Sequence, residues 1–468
     1  MRRNVCAIGL VLVACAALHA GELKAGAHAI NVTPIKFPIS VNGNMTDIRA
    51  TAANDPIHAR CLVLDDGGTR IAIAVVDSCM IPRELIEDAK AQATRLTGIP
   101  ATHMLISATH THSAPTVTGV FQSDPDEAYV KFLATRIAEG IAKANERRVP
   151  ARIGFGRTSD ESNVFIRRWH REQSLIPPDP FGNTTDRVQM NPGNQVKGLA
   201  EPAGKVDPEI CVLSVQARDG KPMAVLANYS LHYVGGNPAL SADYFGAFAD
   251  RIKQMVANGR EDFLGIMSNG TSADANNVNF GLPTTKQGPG ERIRIVADGV
   301  ARKTAGAYAS IEYRSDLSLA AATKELRLGV RKPTEKDLDR ARKLLDEQKA
   351  EKVLKGLPAI YARESVLLAK YPDVVPVTVQ TLRLGDTCVV AIPCEVFTEI
   401  GLRIKKSSPL KNTFTIELAN GYNGYLPTPA QHKLGGYETW RARSSYLEVE
   451  ASEKVAAAVE ELWKEVVR

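Results

Sequence analysis

The sequence predicts an α/β fold built on a large mixed β-sheet flanked by helices, within a single main domain. Three observations carry this. Apolar runs of strand length recur along the chain, and amphipathic helical stretches fall between them, some in strict βα alternation. The 468 residues are 44% hydrophobic and 24% charged, an ordinary globular composition and enough chain for a large core. No internal repeat and no clean linker divides it.

The elements follow in order. Residues 27–32 read as a strand ended by Thr33-Pro34. Residues 58–64 and 70–76 read as a hairpin, because Asp65-Asp66-Gly67-Gly68 is a strong turn signal. A helix is expected over 83–97 and a strand over 104–108. The next helix has Asp124 as cap, Pro125 at its first position and a stripe of Val130, Leu133, Ile137 and Ile141. Residues 152–156 form a short strand, and 160–206 are irregular, which in a compact chain marks a functional or mobile loop. Strands are expected at 210–215, 223–229 and 263–267, with helices at 245–256 and 290–310. Residues 317–328 are extended, and 334–351 form a charged amphipathic helix. Residues 375–384 and 387–392 pair over Gly385-Asp386. A helix starts near Glu395, a strand spans 413–418, a loop spans 419–437, and a last helix carries Val455, Val459, Leu462 and Val466.

The net charge is +6, and its Lys and Arg are scattered, so nothing points to nucleic acid. Arg2 and Arg3 precede an apolar segment reaching about Ala17, the size of a signal-peptide core and short of a bilayer span. Residues 1–20 therefore read as a signal peptide and 21–468 as the functional domain. Leu12-Val13-Ala14-Cys15 fits a lipoprotein processing site with Cys15 lipidated; ordinary cleavage around Ala16 or Ala20 is the alternative. Either way the chain is expected to be exported: periplasmic, secreted or lipid-anchored at the cell surface, where the anchor would bring it to a membrane. Beyond Cys6 and Cys15, five cysteines remain, at 61, 79, 211, 388 and 394. Most sit in apolar runs, where a free Cys is a small buried hydrophobe, and no CxxC occurs. Neither a disulfide framework nor a thiolate metal site is expected.

The chemistry concentrates in Ser107-Ala108-Thr109-His110-Thr111-His112-Ser113-Ala114-Pro115, directly after an apolar strand. Strand alternation would point His110 and His112 the same way, and a turn could also make them converge. The end of a buried strand is where α/β proteins place their sites. A catalytic zinc takes three protein ligands and keeps a position for water. His232 is the best further candidate among the nine histidines, because it follows the 223–229 strand and precedes Gly235-Gly236; a satisfied loop residue is the bland alternative. A His-x-His after a strand also marks barrel amidohydrolases, but eight regular βα units are not visible. For the later residues the bland readings also stay open. Glu395 could favour a helix N-terminus, with Glu399 one turn on. Tyr425 and Tyr437 could be packing aromatics, and Arg167 or Arg168 could pair with acidic neighbours. Asp243 could cap a helix or support a histidine ligand.

Three segments together resemble the neutral/alkaline (non-lysosomal) ceramidases, zinc amidases that cut the N-acyl bond of ceramide. They are Gly26-Ala27-His28-Ala29-Ile30-Asn31-Val32-Thr33-Pro34, the His110/His112 segment, and Gly421-Tyr422-Asn423-Gly424-Tyr425-Leu426-Pro427-Thr428-Pro429. The likeness runs in order over nearly the whole mature chain and covers the family's catalytic domain, with no room for its C-terminal immunoglobulin-like domain. The resemblance implies a zinc ion held by His110, His232, Glu395 and Tyr425. It implies substrate-side roles for His112, Tyr437 and Arg167, although Ile166 stands where the family has Asn. The family's catalytic serine falls on Asp274 in Asn269-Gly270-Thr271-Ser272-Ala273-Asp274-Ala275-Asn276, with Ser272 two residues away. The implied function is zinc-dependent hydrolysis of an N-acyl amide in a small-molecule or lipid substrate. The rivals are a related zinc hydrolase acting on a non-ceramide amide or ester, and a non-catalytic exported binding protein of the same fold.

Overall fold

A computed structural model describes residues 22–236 and 240–467. The expected leader, with Cys15, lies outside the described residues. Eight strands form the main sheet in the order Leu264–Asn269, Pro222–Tyr229, Glu209–Ala217, Val149–Ser159, Lys24–Asn31, His58–Asp65, Arg70–Val76, Met104–Ala108. The six inner strands pair antiparallel, and the outermost pair at each edge is parallel, so the sheet is mixed as the sequence predicts. A parallel neighbour requires a crossover. The helices Arg83–Thr97 and Asp243–Ala257 supply it at the two edges. Both crossovers leave a strand C-terminus open, after Ala108 and after Tyr229, and the two His-bearing loops begin there.

Strand pleating explains the layering. In His58–Asp65, Ala59, Cys61 and Val63 face helices Arg83–Thr97 and Glu127–Glu146, meeting Leu85, Ile86, Leu133, Ile137 and Ile141. Leu62 and Leu64 face the other way, with Ile73, Leu105, Leu226 and Ile266, onto Leu382, Leu384, Val389, Phe414 and Ile416 of a second sheet. Both faces are buried, so these strands read as continuous apolar runs. The second sheet has four strands, ordered Leu319–Gly329, Val374–Leu384, Thr387–Ala391, Asn412–Ile416, and its outer face is closed by Ala451–Val466 through Val455, Val459, Leu462 and Val466. The result is four layers, helix–sheet–sheet–helix. Each Leu or Ile so buried contributes about 1.5–3 kcal/mol.

The main sheet curls until both edges reach one segment of the second sheet. Ala108 N donates to Leu418 O (3.1 Å) and Asn420 N to Ile106 O (2.8 Å), while Glu417 N donates to Asn269 O (3.3 Å) at the other edge. This curl brings together residues far apart in sequence.

Several expected boundaries move. The helix expected to start at Pro125 starts at Glu127, and its cap is Asp126, which accepts from Tyr129 N, not Asp124. The helix expected near Glu395 begins at Thr398, because Glu395–Val396 first pairs as a short parallel strand with Tyr425–Leu426. The irregular stretch 160–206 holds short strands at Phe165–Ile166, Arg168–Arg171, Val188–Met190 and Leu199–Pro202. Helix Leu357–Leu368 carries a weak apolar stripe and had no sequence signal. The five described cysteines are buried and unpaired.

Candidate active site

Each candidate ligand is placed by the end of a strand. The chain leaves Met104–Ala108 through Thr109 N, bonded to Val76 O, and His110 N, bonded to Ser78 O (2.9 Å each). His110 then adopts φ +73°, a left-handed conformation that costs a side-chain-bearing residue about 1–3 kcal/mol and persists only where surroundings impose it. The turn, not strand alternation, makes the two imidazoles converge: His112 Nε2 lies 3.1 Å from His110 Nε2. His232 arrives from the other edge, its Nε2 also 3.1 Å from His110 Nε2. Glu395 sits opposite, with Oε2 3.4 Å from His110 Nε2, and the parallel pairing Glu395↔Tyr425 puts Tyr425 on the neighbouring strand. His110, His232 and Glu395 offer ligand atoms within 4.8 Å of one another.

The hydrogen bonds fix which atoms face inward. His110 Nδ1 is bonded to Cys79 O (2.7 Å) and His232 Nδ1 to Ser272 O (3.1 Å). A carbonyl only accepts, so each Nδ1 carries the proton and each neutral ring aims its Nε2 lone pair inward. Two lone pairs at 3.1 Å repel unless a proton or a cation stands between them. Glu395 Oε2 is buried and has no hydrogen-bond partner, while Oε1 accepts from Tyr422 OH (3.2 Å). An orphaned carboxylate oxygen facing two imidazole lone pairs is what a bound cation would satisfy. The donor set, two nitrogens and a carboxylate oxygen, suits zinc.

The electrostatics agree. Burial works against charge on His110, yet the Glu395 carboxylate and Cys79 hold its pKa well above the ordinary histidine value. Burial would raise Glu395, but His110 and Arg167 pull it below the usual carboxylate range. Burial, Arg167 and the other rings push His232 well below the ordinary value, and burial, His110 and Arg167 do the same to His112. Of the three rings, His110 is the one whose surroundings favour the charged form.

Arg167 closes the floor. It donates through Nη1 to His232 Nε2 (3.0 Å), through Nη2 to Tyr425 OH (3.1 Å) and through Nε to Glu438 Oε1 (2.9 Å). Arg168 shares Glu438 (2.6 Å) but turns away to Gln431 and Gly435 O, so the two adjacent arginines separate into one at the site and one in the scaffold. His110, His232, Glu395, Tyr425 and Arg167 are all buried, whereas His112, Tyr233, Tyr422 and Tyr437 are partly exposed and form the rim. Tyr233 stacks flat on His112, ring centroids 3.7 Å apart, and Tyr437 meets Tyr425 edge-on at 5.7 Å.

Two expected site residues lie elsewhere. Asp274 is spent on the N-terminus of helix Thr398–Ser407, accepting from Thr398 N and Oγ1 (2.8 Å each), four donors of which would otherwise be orphaned there. Ser272 sits on the far side of the His232 ring, its Oγ 3.3 Å from Nδ1 and donating to Glu417 (2.7 Å). Neither faces the Nε2 side. Among the described residues Asp243 bonds no imidazole; it accepts from Val234 N and Gly235 N and so fixes the loop after His232. Glu399 bonds Thr428, which leaves Glu395 as the inward carboxylate. The Cys79 thiol lies 3.8 Å from His110 Nδ1, on the side its own carbonyl already fills. Sequence reasoning missed Tyr233, Tyr422, Glu417 and Glu438. Only Tyr422 had a signal, its place in the glycine-rich Tyr425 loop.

Fold and site together define a class: a layered α/β protein with a buried His–His–Glu cluster where its two sheets meet. The fold is shared with solved ceramidases. It is similar to neutral ceramidase from Pseudomonas aeruginosa, with a TM-score of 0.67 and 17% identity over 94% of this chain and 73% of that one. It is also similar to a ceramidase complexed with C2, with a TM-score of 0.63 and 16% identity over 94% of this chain and 74% of that one. No protein-family model matches the sequence, and no curated protein does.

Proposed function

We propose that this chain is a zinc-dependent hydrolase that cleaves an N-acyl amide bond in a small-molecule or lipid substrate, as the structurally similar ceramidases do for ceramide. The observation that carries this reading is the convergence of His110 Nε2 and His232 Nε2 with Glu395 Oε2, a buried oxygen that no hydrogen bond satisfies. His110, His232 and Glu395 would hold the zinc, with Tyr425 as the fourth ligand. When bound, the ion supplies Lewis-acid polarisation of the acyl carbonyl and a water activated near neutral pH.

The chain's own groups do the rest. Arg167 is kept charged, burial being outweighed by Tyr425 and Glu438, so its N–H groups can receive charge that develops on the carbonyl oxygen. His112 is held neutral at the rim and can carry a proton to the departing amine. Tyr437 offers a hydroxyl beside Tyr425 on the same side. The buried floor excludes water from these charges, which strengthens each interaction.

A second reading within the same chemistry is a non-ceramide amide or ester as substrate. It is favoured by Ser272 and Asp274, whose side chains are committed behind the site and so leave no hydroxyl at the position of the family's serine. We also propose that residues 21–468 form the catalytic domain and that the chain is exported, with Cys15 as the lipid anchor where it is processed as a lipoprotein. Fractionation of wild type and C15S tests that part.

Purified chain loaded with zinc should hold about one ion and hydrolyse members of a panel containing N-acyl-sphingosine, other N-acyl amides and esters. Turnover of the non-sphingosine members alone selects the second reading. One zinc without turnover on any member selects the binding protein, and a chain that takes up no zinc sinks the proposal.

A further inference from the structure

Glu417 is a buried carboxylate that the chemistry above does not use. Its side chain is fully enclosed, and no Lys or Arg pairs with it among the described residues. Four donors converge on it instead: Asn269 Nδ2 (2.9 Å) and Ser272 Oγ (2.7 Å) on Oε1, and Ser272 N (3.2 Å) and Val396 N (2.6 Å) on Oε2. A carboxylate so deep is costly to keep unless it does something that a neutral group would not.

Its partners are the two segments that carry the candidate ligands. Ser272 donates its proton to Glu417, so its Oγ offers a lone pair to His232 Nδ1 at 3.3 Å, beside the Ser272 carbonyl at 3.1 Å. Val396 directly follows Glu395. One carboxylate therefore stands behind both His232 and Glu395.

We infer that Glu417 is a positioning residue for the zinc: through the Ser272 hydroxyl it holds His232 as the Nδ1–H tautomer with Nε2 inward, and through Val396 N it fixes the strand that presents Glu395. The inference rests on the zinc reading. A carboxylate behind a histidine ligand raises the ring's basicity and fixes its orientation; here a serine hydroxyl transmits the effect.

Glu417→Gln separates positioning from packing. Gln has the same shape, and Asn269 Oδ1, which is buried without a partner, can accept from its amide once Ser272 Oγ also turns to accept. The pocket stays filled while the Ser272 proton no longer points at a carboxylate. Zinc affinity is measured on the full chain by competition with a chromophoric chelator above pH 8, where Glu417 is ionised, alongside the melting temperature of the metal-free protein. E417Q should keep its melting temperature within a few degrees and bind zinc about tenfold more weakly. S272A should weaken zinc similarly, and the double variant should be no worse than the weaker single one, because both act along one chain of bonds. E417Q with wild-type zinc affinity, or effects of the two substitutions that multiply, would overturn the inference; S272A with wild-type affinity overturns it even where E417Q does not fold. Wild type that binds no zinc instead defeats the zinc reading, and this inference falls with it.

Discussion

His110 and His232, 122 residues apart, bring their Nε2 atoms to 3.1 Å with each Nδ1 tied to a main-chain carbonyl. The contact exists because the two parallel edges of the curled sheet end beside the same segment of the second sheet. A cation between the two rings would satisfy both nitrogens, and the expectations that follow are ordered by that proposal.

The first concerns metal content. Truncating either ring leaves the other lone pair without a shared partner and removes one of three converging donors. His110→Ala and His232→Ala should each lower zinc affinity by at least about a hundredfold, since even indirect supports of a ligand carry 10–100-fold. Elemental analysis after dialysis should find about one zinc in wild type and a small fraction in each variant. His112→Ala should keep the metal and lose turnover, because its ring is at the rim.

The pH dependence follows from His110. Its pKa in the fold lies above 6.5, its unfolded value, so its contribution to the stability of the metal-free chain is fully present below 6.5 and is lost as pH rises through the folded value. His112 and His232 shift the other way, so their slope has the opposite sign and fades as pH rises about one unit past 6.5; it is common to wild type and His110→Gln. Glu417, pushed up to about 8 by burial, has the same sign as His110. Denaturant melts of metal-free protein between pH 6.5 and 8 should show a less negative slope of stability against pH in His110→Gln than in wild type, the variant keeping the Glu417 part and the opposing part of Lys90, which burial lowers to about 7. Zinc must displace the His110 proton, so zinc affinity should rise about tenfold per pH unit near neutrality. A flat profile in calorimetric titrations would remove the His110 proton from this picture.

A glycine sets the position of the rim histidine. Gly43 has φ +97°, and a Cβ built there would collide with the His112 ring, whose other face is covered by Tyr233. Gly43→Ala should therefore cost about 1 kcal/mol or more in unfolding free energy from the backbone alone. It should also lower kcat by one to two orders of magnitude, on the scale at which small misplacements of reacting groups act. Zinc stoichiometry should stay at wild type, which steady-state kinetics with metal analysis can check together.

How much of this was legible depends on the range of the contact. The α/β class, the Asp65–Arg70 hairpin and both His-bearing strand ends follow from local periodicity and turn residues, which act within a dozen positions. His110 and His232 were visible as candidates because each follows its own apolar strand. Their mutual approach depends on sheet curl, so it came from the resemblance and not from local pattern. Glu395 and Tyr425 carried no local mark beyond a helix start and a glycine-rich loop, and only the resemblance singled them out. The Asp274 contact was hidden for the same reason: its neighbours in sequence suggest a reactive loop, while its partner Thr398 lies 124 residues on. Glu417 and Glu438 look like ordinary strand and loop acids until the donors around them are seen.

The last expectation separates metal binding from turnover at Arg167. Its Nη1 occupies the His232 Nε2 lone pair at 3.0 Å, and its fixed positive charge faces the same space as the candidate ligands. A cation held by His232 must take that lone pair, so Arg167 opposes metal binding in two ways, by competition and by repulsion. Arg167→Gln removes the charge and leaves a polar group beside Glu438 and Tyr425, and Arg168 still pairs with Glu438. Zinc affinity should then rise severalfold in chelator competition. Turnover should fall by about 10²–10³, the scale on which a lost oxyanion donor acts. Both falling together would mean that Arg167 supports the metal site, and unchanged turnover would remove it from the chemistry.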